Sequence, residues 1–221
     1  MFTKTAIRAA VAALALTSAG IASSAVVTLT FEGIANGAPV GNFYNGGGGA
    51  SNNFGVTFSP ATLALVDSDA GGGGNFANEP TGDTIMFFED ANNAILTFAA
   101  GFTTGFSFFY SSAVATTVNV FDGLNGTGNN LGSLVLAAQF NGNNCAGDPT
   151  GVYCNWTSVG VAFAGTAKSI NFGGAASVTG FDNITFGSAT PGTGGTVPEP
   201  TSLALVGAAL LAASAVRRRK A

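Results

Sequence analysis

The 221-residue chain contains no histidine. That absence removes Ser-His-Asp and Cys-His catalysis, His-containing zinc sites and any imidazole proton shuttle. Basic residues are nearly missing from the middle as well. Of seven, six (Lys4, Arg8, Arg217, Arg218, Arg219 and Lys220) lie at the two ends, which leaves Lys168 alone. Between residues 26 and 196 it stands against ten carboxylates, a net charge of −9. Nucleic acid and anionic lipid bind through Lys and Arg that displace counterions, so this middle repels both and no nucleic-acid partner is expected. Aromatics with a polar handle are few, one Trp and three Tyr, and there are only two cysteines.

Phenylalanine is abundant instead: eighteen of nineteen fall in residues 26–186. Short runs of Phe, Val, Ile and Thr alternate there with clusters of Gly, Asn, Asp and Pro about every ten residues, the strand-and-turn spacing of a β-sandwich. The pattern predicts strands near 26–31, 54–58, 61–66, 84–88, 93–98, 104–110, 114–121, 131–138, 151–164, 168–173 and 178–186. Sustained helical periodicity is absent from this body. Sugars stack on exposed Trp or Tyr, which here means Trp156, Tyr44, Tyr110 and Tyr153, so most phenylalanines are assigned to an inter-sheet core. The Gly-rich stretches at 45–55 and 70–75 read as loops; neither is followed by the Lys and helix of a phosphate-binding loop.

The ends are of another kind. Lys4 and Arg8, the apolar run Ala9 to Leu16 and the small residues Ser23-Ser24-Ala25 have the order of a secretory signal, expected to be cut by signal peptidase after Ala25. An uncleaved anchor is the alternative, disfavoured by so short an apolar run. In an exported protein Cys145 and Cys154, flanking a turn-rich segment, read as a disulfide rather than two free thiols. Residues 187–197 read as a flexible Gly/Thr-rich linker. Residues 198–221 hold Pro198-Glu199-Pro200, an uncharged run from Thr201 to Val216, and Arg217-Arg218-Arg219-Lys220. As a helix that run spans roughly 24 Å, short for a ~30 Å bilayer core but workable with snorkelling arginines, and the basic end stays cytoplasmic.

This tail, with Val197 leading into the Pro-Glu-Pro, then a short transmembrane helix and the cluster Arg217, Arg218 and Arg219, resembles the PEP-CTERM sorting signal of Gram-negative bacteria. An ordinary C-terminal anchor shares the helix and basic stop but not the Pro-Glu-Pro at that spacing. The resemblance implies recognition by a membrane-bound exosortase, residence in the inner membrane before processing, and final placement at the cell surface or outside the cell. The same tail is also labelled an ice-binding protein C-terminal domain, a name that leaves the attached body unspecified.

Pieces of the body, Leu29-Thr30-Phe31-Glu32-Gly33 and Gly180-Phe181-Asp182-Asn183-Ile184-Thr185-Phe186, are similar to the terminal strands of jelly-roll carbohydrate-binding modules. That likeness implies an all-β, antiparallel, jelly-roll-like sandwich over 26–186 and a structural calcium held by Glu32 and Asp182. Asp67-Ser68-Asp69 is a second calcium candidate, and Glu32 and Asp182 serving only as turn acceptors is the alternative to both. Hard oxygen ligands suit calcium without histidine. The expected function is an exported, non-enzymatic surface or matrix protein with a structural or adhesive role in exopolysaccharide. A carbohydrate-binding or ice-binding module is the alternative. A glycoside hydrolase using carboxylates among Glu79, Asp83, Glu89 and Asp90 is the remote one.

Overall fold

The computed structural model describes residues 26–139, 145, 152–173 and 176–192. Among them there is no α-helix, and no helix long and apolar enough to cross a membrane. The expected signal peptide and the expected transmembrane tail lie outside the described residues.

Nine strands form: β1 (Val27–Leu29), β2 (Val56–Phe58), β3 (Thr62–Val66), β4 (Thr84–Phe88), β5 (Ile95–Ser112), β6 (Thr116–Phe121), β7 (Asn130–Leu136), β8 (Thr157–Asn171) and β9 (Thr179–Phe186). All pairings between them are antiparallel, in the order β3-β4-β9-β5-β8-β6-β7, with β1 added on β9 and β2 on β5. The expected antiparallel all-β body is what the chain forms.

Two strands expected as separate pairs are continuous. β5 joins the runs predicted at 93–98 and 104–110, and β8 joins 168–173 to the later part of 151–164. Gly101 (φ 78°), Thr104 (φ 75°) and Gly165 (φ 93°) take left-handed backbone conformations that bend these strands without ending them. Each strand thereby serves both layers. The first four residues of β5 pair with β2 and the end of β8, whereas Phe106 to Ser112 pair with β9. Residues 152–156, expected as strand, instead form a loop joined to Phe76 by a single bridge at Tyr153.

The core sits where the layers face. Phe106 and Phe108 from one layer meet Phe172, which follows β8 in the other, at centroid distances of 6.2 and 6.0 Å. Phe172 also packs against Phe88 at 5.2 Å and Phe181 at 4.9 Å, mostly edge-on or tilted, as ring quadrupoles favour. Tyr44 and Tyr110 belong to this core as well, because both are buried and each hydroxyl accepts a backbone N–H, from Phe31 at 2.7 Å and from Ala137 at 3.0 Å.

The first residues of the expected linker lie on the body. Ser107 Oγ donates to the Ser188 carbonyl at 2.9 Å, and Gly192 N–H donates to Thr185 Oγ1 at 3.0 Å. Gly105 and Gly160 permit that approach, since a Cβ on either would run into the backbone at residues 188–189.

Candidate functional site

Every residue of β9 is buried, so its carboxylate is out of place there. The strand runs beside β5 on one edge and beside β4 and β1 on the other. Between Asp182 and Thr185 it carries one extra residue relative to β5, a bulge at which Asn183 takes φ 49°. Asn tolerates that left-handed conformation better than most residues, and a bulge of this kind re-aims side chains. Phe181 joins the core, so Gly180 and Asp182 fall on the opposite face, under the segment that enters β4.

That segment supplies the partners. Asp182 Oδ2 accepts the Thr81 N–H at 3.1 Å, Oδ1 accepts the Asn183 N–H at 2.6 Å, and Asn183 Nδ2 donates to Thr81 Oγ1 at 2.7 Å. Glu32 binds the same segment three residues on, where Thr84 N–H donates to Oε1 at 2.9 Å. Although Glu32 is exposed as a residue, its carboxyl is turned back against Gly82, where a Cβ would collide with it.

Burial raises the Asp182 pKa to about 8 against the pull of its two backbone donors, and Glu32 and Glu79 add repulsion. Burial also raises both of those glutamates, and it raises the Tyr44 hydroxyl, to which Asp182 and Glu32 add further. Asn183 Oδ1 and Glu79 Oε2 are buried and accept no hydrogen bond within the described structure. The result is a cluster of oxygens with more acceptor capacity than donors. Among the described residues no group of three or more Asp, Glu, Cys or His side chains is arranged to hold an ion. A cation here would therefore draw on amide and backbone oxygens beside Glu32 and Asp182.

Glu32 and Asp182, predicted together, do flank one segment. Of the other carboxylates, Asp83 stays within electrostatic reach of Glu32 and Glu79, and Asp69 of Glu79. Asp67 is buried and accepts the Ser68 N–H at 2.6 Å, whereas Asp69 is exposed. Asp83 and Glu89 are exposed, and Asp90 caps a short 3-10 turn through Asn92 N–H at 2.9 Å. Sequence reasoning named Glu79 only as a hydrolase carboxylate and missed Asn183; the one available signal was that Asn183 directly follows Asp182.

Cys145 and Cys154 form the expected disulfide, with Cα atoms 5.2 Å apart. The residues around Cys154 are bonded to a second loop: Val152 and Tyr153 N–H both donate to the Asn75 carbonyl, and Trp156 Nε1 donates to the Ala77 carbonyl at 3.1 Å.

An antiparallel β body braced by a disulfide and followed by a Pro-Glu-Pro tail defines a carrier-and-address arrangement, a folded domain with a sorting segment behind it. Residues 196–220 match the family model of the PEP-CTERM protein-sorting motif. The chain therefore carries that motif, which marks it as an exported exosortase substrate, transiently anchored through the tail. No curated protein matches the sequence. Among solved structures, it is similar to the K2 cleaved adhesin domain of Lys-gingipain, at 14% identity over 73% of this chain and 98% of that one, with a TM-score of 0.44. A family 6 carbohydrate-binding module is similar at 17% identity over 58% and 82%, with a TM-score of 0.34. A carbohydrate-binding module from Cellvibrio mixtus lichenase 5A, in complex with cellotriose, is similar at 16% identity over 57% and 86%, with a TM-score of 0.33. With TM-scores below 0.5, these likenesses carry no argument about function.

Proposed function

We propose that this is a non-enzymatic protein of a Gram-negative bacterium, exported behind a signal peptide, handed to exosortase by its tail and left at the cell surface or in the surrounding matrix. Its role there is structural or adhesive, in association with exopolysaccharide. The observation that carries the reading is the sorting motif at residues 196–220. Supporting it are a body without histidine, a net charge of −9 that keeps the domain soluble and away from anionic polymers, and a disulfide suited to an oxidising compartment. Deleting residues 198–221 tests it. The truncated protein is expected in the periplasm or medium, unprocessed at its C-terminus, while the full chain is membrane-held and then cut. Identical compartments and identical mature C-termini for the two would overturn the reading.

The reading includes a structural calcium at Glu32 and Asp182. What supports it is the chemistry of the donors, two carboxylates and the unpartnered Asn183 Oδ1 and Glu79 Oε2, all hard oxygens of the kind calcium accepts. When bound, the ion would neutralise repulsion among these carboxylates and tie β9 to both the β1–β2 and β3–β4 connections.

A further inference from the structure

The outer face of β3, β4 and β9 bears a second aromatic group, apart from the core. Met86 and Phe88 of β4 point into the core, so Ile85 and Phe87 point outward, and Leu65 of β3 stands opposite Ile85. Over this face the loops around 75–77 and 152–156 form a wall, stitched by the backbone bonds to Asn75 and Ala77 and pinned by the Cys145–Cys154 bridge. Phe76 is buried inside the wall and meets the Trp156 ring edge-on at 6.3 Å.

Between wall and sheet lies a half-open cavity of about 80 Å³, bordered by Phe87, Tyr153, Trp156, Ser177 and Gly180. Phe87, Tyr153 and Trp156 are each only half-buried. Gly180 leaves room for this shape: a Cβ there would approach Ile85 Cδ1 to 2.7 Å and Trp156 Cη2 to 3.3 Å, so a larger side chain would crowd the indole against which the cavity is built. At the mouth, Ser177 is held at φ 60° by its N–H bond to the Phe88 carbonyl, a backbone conformation that is costly for a residue with a side chain.

We propose that this cavity is a subsite for one neutral sugar ring of a polysaccharide. It gives the adhesive part of the proposed function a location and rests on that reading. Of the four Tyr and Trp residues, Tyr44 and Tyr110 are committed to the core, and the remaining two converge on this cavity. Aromatic faces flanked by a few polar groups, here Asn75 and Ser177, suit a ring with apolar C–H faces and hydroxyl edges. Among the described residues no charged side chain borders the cavity, and the −9 body disfavours an acidic sugar. The size admits the edge or face of a single ring and leaves the rest of a chain outside.

Trp156 is the chain's sole tryptophan, so fluorescence excited selectively at tryptophan reports on this cavity. The exported protein, purified in a non-glycosidic detergent, is titrated with neutral hexasaccharides of glucose, xylose, mannose and galactose, and with hexagalacturonate. A saturable fluorescence change is expected with at least one neutral sugar and none with hexagalacturonate. Calorimetry with the responding sugar should show at least tenfold weaker binding for Gly180→Val and for Tyr153→Ala, and loss of binding for Trp156→Ala. The half-buried Tyr153 serves as the variant least prone to misfold, with circular dichroism as the check. Silence from all four neutral sugars overturns the subsite, as does binding untouched by the variants. Because location and C-terminal processing are scored separately, either failure leaves the sorting reading intact.

Discussion

The Thr81 N–H donates to Asp182 Oδ2 across 101 residues of chain, at 3.1 Å, and this bond fixes the connection entering β4 to a carboxylate inside a fully buried strand. Without a cation, burial disfavours the charged form of that carboxyl, and the fold holds a proton on it.

Stability in chelator should therefore depend on pH through Asp182. Its carboxyl ionises near 3.9 in the unfolded chain and at about 8 in the folded one, mainly because of burial. Between those values the folded state holds a proton that the unfolded state has released. The contribution is thus full below about pH 4 and is lost as pH rises through 8. Glu32 and Glu79, also raised, act in the same direction. The melting temperature in chelator is expected to fall from pH 5 to pH 9, and Asp182→Asn to flatten that fall. A wild-type melting temperature that rises over this range contradicts the assignment.

Calcium should reverse the alkaline loss. At 100 times its dissociation constant, free calcium stabilises by ~2.7 kcal/mol, a shift of several degrees for a domain of this size. Melts at pH 8 with chelator and with millimolar calcium are expected to differ in the wild type and to coincide in Asp182→Asn. No shift in the wild type removes the ion, and equal shifts in both proteins place it elsewhere.

Reduction of Cys145–Cys154 should be a local event. The bridge closes a loop of nine residues' separation, so its loss costs ~2–3 kcal/mol. It pins the wall that carries Trp156, two residues along the chain. Reducing agent is expected to add two hydrogen atoms to the intact mass and change tryptophan fluorescence while leaving the far-ultraviolet circular dichroism of the sheet in place. Two titratable thiols in the native exported protein, or unfolding of the whole body on reduction, would contradict this.

Phe172→Ala should be among the most damaging core changes. The ring touches Phe88, Phe106, Phe108 and Phe181 and joins the two layers. Removing it leaves a cavity at that junction, with an expected cost of about 3–5 kcal/mol. Denaturant melts measure it, and a loss below 1 kcal/mol would mean that the layers close around the gap.

The strands were legible because Phe, Val, Ile and Thr runs stop at Gly, Asn and Pro, and most of their observed ends fall within two residues of the expected ones. What misled was glycine inside a strand: Gly101 and Gly165 look like breaks, yet their left-handed backbone bends β5 and β8 and carries each into the second layer. Residue type also did not tell which aromatics face outward. Tyr110 shares the two-residue period of Phe106 and Phe108 and is core, and that period was readable. The Trp156 cavity was not readable, because it depends on a missing side chain at Gly180 meeting a loop from elsewhere in the chain. Glu32 and Asp182 came from likeness to terminal strands, while the bulge that aims Asn183 leaves no mark in the sequence beyond an asparagine.

The central claim is delivery by the tail, and the most direct measurement is intact mass and location of the full chain in two strains, one with exosortase and one lacking it. With the enzyme, the chain is expected at the surface or in the medium, ending near Pro198-Glu199-Pro200. Without it, the chain should keep Arg217, Arg218 and Arg219 and stay in the inner membrane. The same mass in the same compartment from both strains would contradict the account.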